Sequence, residues 1–320
     1  MKNDPTESAL ARLDEIPLRT PEGKAAFTRA LAAKSNLVVA KAARILGAAQ
    51  WLELSGEMAT AFDRMIEKGA AVDKACAATI AIARALVQLD YDSPDLFLRG
   101  MRHVQMEGSW GPAIDAAVEL RAVCAMGLAN STYPHKLRAL VSLLVDKEWQ
   151  ARVGAIRAIA AIGGESASLL LRFKMLTGDK EAEVMAECFT AVLALEGGEG
   201  VFLVAQFAAP SGDPEIREAA ILAMGASRRA DAIEWLIREF PRTAAIPLRK
   251  CILLSLSTSR VEAAMAFLLD LIRTGTPSAS ALAVDALSIH SRDRDLSVRI
   301  EEAVRSRDEA SSPGVTPGAF

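Results

Sequence analysis

The chain has 320 residues, a formal net charge of −3, and only 5% aromatic residues within a 51% hydrophobic total. The near-neutral charge argues against a polyanion binder held by bulk electrostatics, and an Ala-, Leu-, Ile- and Val-rich, aromatic-poor composition favours close-packed helices over a β-sandwich or barrel. Four scattered cysteines, Cys76, Cys124, Cys188 and Cys251, form neither a disulfide framework nor a C-x-x-C pair.

Residues 1–20 read as a polar N-terminal arm with one or two helical turns, and show no basic segment followed by an apolar one. Charges interrupt every apolar stretch before the roughly 18–20 residues a membrane span needs. These features predict a soluble, cytoplasmic protein with no membrane segment. Thr20-Pro21-Glu22 is the first firm helix start. Two divergent repeat copies follow, at 38–47 and 73–80. Between Leu86 and Glu119 the period is irregular: a Ser93-Pro94 helix start precedes a break at Gly108-Ser-Trp-Gly-Pro112, which predicts one outer helix and a longer loop.

From about residue 112 to 290 the period is regular. DKEWQARVGAIRAIAAIGGE at 146–165 returns as DKEAEVMAECFTAVLALEGGE at 179–199. Taking Arg152 as marker, equivalent positions are Glu119, Met185, Arg217 and Arg249, and small residues recur after each. A period of this size is the signature of a helical array. Each period holds two helices. In the copy at 213–225, Asp213 caps and Pro214 opens the helix, while Ile216, Ala219, Ala220, Ala223 and Met224 form one apolar stripe. A second helix spans 229–240. The Gly-Gly pairs at 163–164 and 197–198 read as helix ends. The charged stretch 290–308 reads as a terminal cap, and 309–320 as a disordered tail.

Asp213-Pro-Glu-Ile-Arg-Glu-Ala-Ala-Ile-Leu-Ala-Met-Gly225, together with the Asp146–Arg152 spacing, resembles the HEAT-repeat family, in particular its short bacterial type. The resemblance implies an all-α fold: a right-handed superhelical solenoid of roughly seven or eight helix pairs, one continuous array over 21–308, with a concave face that binds partners. Short repeats of this kind also occur in phycobilin lyases, but no residue here marks a pigment site.

Chemistry is sparse. His103, His135 and His290 lie in distant repeats, and no cluster has metal-ligand spacing. There is no G-x-S-x-G elbow and no Gly-rich phosphate loop. The expectation is therefore no catalytic residues, no metal, no cofactor and no enzyme. Cys188 and Cys251 occupy slots held by Ala elsewhere and read as buried core. Trp51 and Trp235 read as core too, whereas Trp110 and Trp149 sit at turns or helix starts. The Asp146–Arg152 column reads as a turn-stabilising ladder.

By register the concave face carries Val153, Arg157, Thr190, Glu218, Leu222, Lys250 and Leu254. Its charges, counted with Asp285, cancel. A semi-apolar groove of this kind suits a peptide or an amphipathic helix of a protein partner. The alternative, a nucleic-acid-binding or glycosylase-like repair solenoid, needs a basic stripe that these columns lack, so nucleic acid is disfavoured. Exposed repeat faces would also permit homo-oligomers.

Overall fold

A computed structural model describes residues 5–108, 111–209 and 212–311. It is all-α apart from one two-residue ladder, and it divides into two compact units, Met1–Thr177 and Gly178–Phe320.

The first unit holds α1 (Pro5–Glu15), α2 (Pro21–Leu31), α3 (Asn36–Ala48), α4 (Ser55–Lys68), α5 (Ala77–Gln88), α6 (Pro94–Arg102), α7 (Val118–Asn130), α8 (Lys136–Leu143), α9 (Trp149–Ile162) and α10 (Gly164–Thr177). Helices α3, α5, α7 and α9 pack in succession as one row; α2, α4 and α6 line up outside them, and α8 and α10 flank α9. The second unit repeats the scheme: α11 (Ala182–Glu196), α13 (Pro214–Ala226), α15 (Ile246–Ser259) and α17 (Pro277–Leu287) form one row. The other row is α12 (Gly198–Phe207), α14 (Ala230–Glu239), α16 (Glu262–Thr274) and α18 (Arg294–Ser311). The stacked helix pairs expected from the sequence period are thus present within each unit.

Local chemistry explains the boundaries. Thr20 accepts a hydrogen bond from the Gly23 N–H at 3.0 Å, with Pro21 opening α2. Asp213 does the same for the Glu215 N–H at 2.9 Å, ahead of Pro214. Gly163 and Gly197 end α9 and α11 at φ +69° and +60°, a conformation a Cβ would strain, and Gly164 and Gly198 already belong to the next helices.

A lone helix pair leaves its apolar face wet; the rows bury it. Phe27, Phe62, Phe97 and Phe189 are fully buried. Small residues set the row spacing. A Cβ on Gly154 would come within 2.5 Å of the Ala122 methyl on α7, and one on Gly225 within 2.1 Å of the Ser255 hydroxyl on α15. Ser255 also donates to the Ile221 carbonyl at 2.7 Å, tying α15 to α13. Of the stripe predicted on α13, Ala220, Ala223 and Met224 are buried, but Ile216 and Ala219 are only half-buried, because they lie towards the open face.

Three segments differ from expectation. The N-terminal arm contains a three-turn helix, α1, docked on α3. Leu13 is buried there, and Lys41 holds the Leu10 carbonyl at 2.8 Å and Asp14 at 2.5 Å. One buried leucine and a lysine clamp from 27 residues away give no local periodic signal. At the other end α18 continues to Ser311 and packs on α16; residues 312–320 of the expected tail lie outside the described residues. In the irregular segment, α6 is followed by an antiparallel pair, β1 (Met106–Glu107) with β2 (Ile114–Asp115), where the sequence shows no strand alternation. Two residues per strand are too few to show a period.

Candidate functional site

Two polar arrangements stand out from the packed core. The first is structural. Arg121, on α7, is 3% exposed and donates to Asp115 at 2.6 Å, to the His103 carbonyl at 3.0 Å and to Asp146 at 3.1 Å. Its Nε lies 3.0 Å from Asp146 but off the hydrogen-bond line, so that contact is ionic only. Burial pushes the Asp115 carboxyl up. The N–H of Ala117, Arg121 and the N–H of Gln105 outweigh burial and hold it below the usual carboxylate range. Arg152, the marker of the predicted ladder, donates to the carbonyls of Asp146 and Lys147 in the turn before its helix. The six-residue Asp-to-Arg spacing also occurs at Asp115 and Arg121, two places off the predicted column. The hairpin insertion shifted the register there.

The second arrangement is a groove of about 490 Å³ on the second unit, open to solvent between α11 and α13. Its floor is Ala182 and Ala186 from α11, and Ala219, Leu222, Ala223 and Ala226 from α13. Its rim carries Glu183, Thr190, Glu215 and Glu218. Helix geometry produces this surface: 182, 186 and 190 are four apart on α11, and 215, 219, 222 and 226 follow the same ridge on α13. Both helices pack on α12, through which the chain reverses twice, so they run parallel. Leu222 is 43% exposed, a large apolar side chain left uncovered in the floor. Thr190 donates back to the Ala186 carbonyl at 2.9 Å.

Of the seven predicted face residues, Thr190, Glu218 and Leu222 line this groove. Lys250 and Leu254 are exposed on the neighbouring α15, outside the lining. Arg157 is exposed on α9 in the first unit. Val153 is buried at 8% exposure, against expectation, on a helix packed closely along α7. The predicted cancellation of charge also fails locally. Glu183 and Glu215 belong to the rim but stand in the first turn of their helices, outside the columns counted. Among the described residues the groove therefore carries three carboxylates and no cation. None of the three makes an ion pair among the described residues.

The cysteines are quiet. Cys188 is fully buried as expected; Cys251 is only half-buried, its Sγ 3.8 Å from the Glu218 carbonyl. Burial, then the Glu218 charge, push its thiol up to about 12. Cys76, at a left-handed turn beside Asp73, is likewise pushed up to about 12, chiefly by burial. Trp51 is buried, Trp149 and Trp235 are half-buried, and Trp110 lies outside the described residues. His103 faces Gln105, His135 stands edge-on to Tyr133, and His290 meets Ser257 and Arg260. Among the described residues no three His, Cys, Asp or Glu side chains converge as metal ligands, and no helix is long and apolar enough to cross a membrane.

No protein-family model matches the chain, and no curated protein matches its sequence. Solved structures do. The complex of CpcE and CpcF of phycocyanin lyase from Nostoc sp. PCC7120 is 16% identical, covering 91% of this chain and 96% of that one, with a TM-score of 0.36. Human deoxyhypusine hydroxylase in complex with glycerol is 17% identical, covering 83% and 91%, with a TM-score of 0.30. Both neighbours bear the names of enzymes, which corrects the expectation of a non-enzyme drawn from missing motifs. In a helical array, reacting groups can come from separate repeats and leave no contiguous signature. The chain is an all-α array of stacked helix pairs, the architecture its repeat predicts.

Proposed function

We propose that the groove between α11 and α13 is a docking site for a helix or extended segment of a protein partner, presented by an array in which residues 21–308 act together. The uncovered Leu222 above an alanine floor carries this reading. Apolar surface left open in a ridge-and-groove of helical spacing is the complement of an amphipathic helix. The acidic rim opposes phosphate, so the same observation speaks against a nucleic-acid groove.

Site-specific photocrosslinking tests it. A photoreactive residue placed at Thr190 should give an adduct with one discrete protein in cells of the source organism. The same residue at exposed Arg238, on the other row, should not. Adduct formation should disappear in a Leu222→Glu background that keeps its helical circular dichroism. Equal adducts at both positions, or none at Thr190, would remove the docking reading.

A further inference from the structure

The groove's geometry and charge together specify what fits it. Its lining runs from Ala182 to Thr190 on α11 and from Glu215 to Ala226 on α13. At 1.5 Å per residue the longer side spans roughly 16 Å, the length of about three helical turns. Five of the six floor residues are alanines, whose methyl groups let an incoming backbone approach closely; Leu222 alone projects. Such a floor accepts a helix with a narrow stripe of small and medium apolar side chains.

The charges are not spread evenly. Glu183 and Glu215 are each the second residue of their helix, and Glu218 lies one turn further along α13. Because α11 and α13 run parallel, all three stand at one end of the groove, while Thr190, Leu222 and Ala226 occupy the other. First-turn glutamates favour their own helix ends. That accounts for Glu183 and Glu215, and leaves Glu218 with no structural task. With no cation in the lining and no ion pair to any of them among the described residues, three carboxylates share one end of an apolar floor. Covering them with a neutral or acidic segment would desolvate unpaired charge, which costs affinity; covering them with cations recovers it.

We infer that the occupant is a short amphipathic helix of about three turns, with Ala- and Leu-sized residues along its contact stripe and Lys or Arg clustered at one end. This rests on the docking reading above and adds the partner's chemistry to it. The chain's own C-terminal segment, SSPGVTPGAF at 311–320, contains no basic side chain and does not qualify.

The test is selection from a displayed library of helical peptides of about 12 residues, with Ala and Leu on one stripe and every flanking position varied among Lys, Glu and Gln. The bait is the full chain, compared with Leu222→Glu and with a Glu183→Gln/Glu215→Gln/Glu218→Gln triple variant, each checked for retained helicity. The expected result is enrichment of peptides with Lys clustered at one end on the wild type, and loss of that clustering on the triple variant. Exposed ion pairs each contribute only a few-fold, so the best Lys peptide should bind about ten-fold more tightly than its Glu counterpart at low salt, with the gap closing at molar salt. Enrichment of neutral or Glu-flanked peptides that Leu222→Glu abolishes would overturn the charge inference and leave the docking reading intact. Equal recovery on wild type and Leu222→Glu would sink both.

Discussion

Replacing Arg121 by Met tests whether the first unit is held by a buried ionic junction or merely decorated by it. The side chain is 3% exposed and its partner Asp115 6%, so neither group can turn to water when the other is lost. Removing the guanidinium strands the Asp115 carboxylate, weakens the cover of Asp146, and leaves the His103 carbonyl without its donor. Breaking a buried pair from one side costs about 3–5 kcal/mol, whereas an exposed pair costs under about 1 kcal/mol. For a unit of the size of Met1–Thr177, with about 2–4 °C lost per kcal/mol, the melting transition should fall by roughly 6–20 °C. Differential scanning calorimetry of the full chain reads this directly. Arg121→Lys keeps the charge but not the fork and should lose part of it. Adding Asp115→Asn to Arg121→Met should recover part, because the more deeply buried of the two stranded carboxylates is then neutral. A drop below about 2 °C for Arg121→Met would show the junction to be as weak as a surface bridge, and the reasoning from burial would be wrong.

Other outcomes follow from the same structure. Because the folded Asp115 carboxyl is held below the ordinary aspartate value of 3.8, its stabilisation is fully present above that pH and is lost as pH falls through the lower folded value. Asp115→Asn should remove this part of the acid dependence in urea melts taken across pH 2–5; an unchanged slope would contradict the assignment. Gly225→Ala should destabilise by about 1–3 kcal/mol by pushing α13 off Ser255, despite alanine's better helix propensity. A raised melting temperature would refute the close approach. Native Cys251 should resist alkylation at neutral pH relative to the unfolded chain, its thiol being pushed up to about 12, and Glu218→Gln should speed the reaction by removing one cause. Peptide-level mass spectrometry after timed iodoacetamide labelling measures both.

Much of this was legible in the sequence because it is local. A helix needs a cap, a stop and an apolar stripe of the right period, and Thr20, Asp213, Gly163, Gly197 and the small residues around Gly154 and Gly225 state all three within one turn or one repeat. The face of α13 that carries Glu218 and Leu222 could be read the same way, since 3.6-residue periodicity assigns opposite ridges without knowledge of neighbours. Tertiary structure decided what depends on pairing. Val153 is buried on a helix whose own period placed it on the open side. Arg121 meets Asp146 across 25 residues, after a hairpin too short to announce itself. The groove's sign of charge emerged only when the first turns of α11 and α13 were placed side by side, since Glu183 and Glu215 are 32 residues apart in the chain yet line the same groove. Periodicity reports which side of a helix is wet; only packing reports what stands opposite.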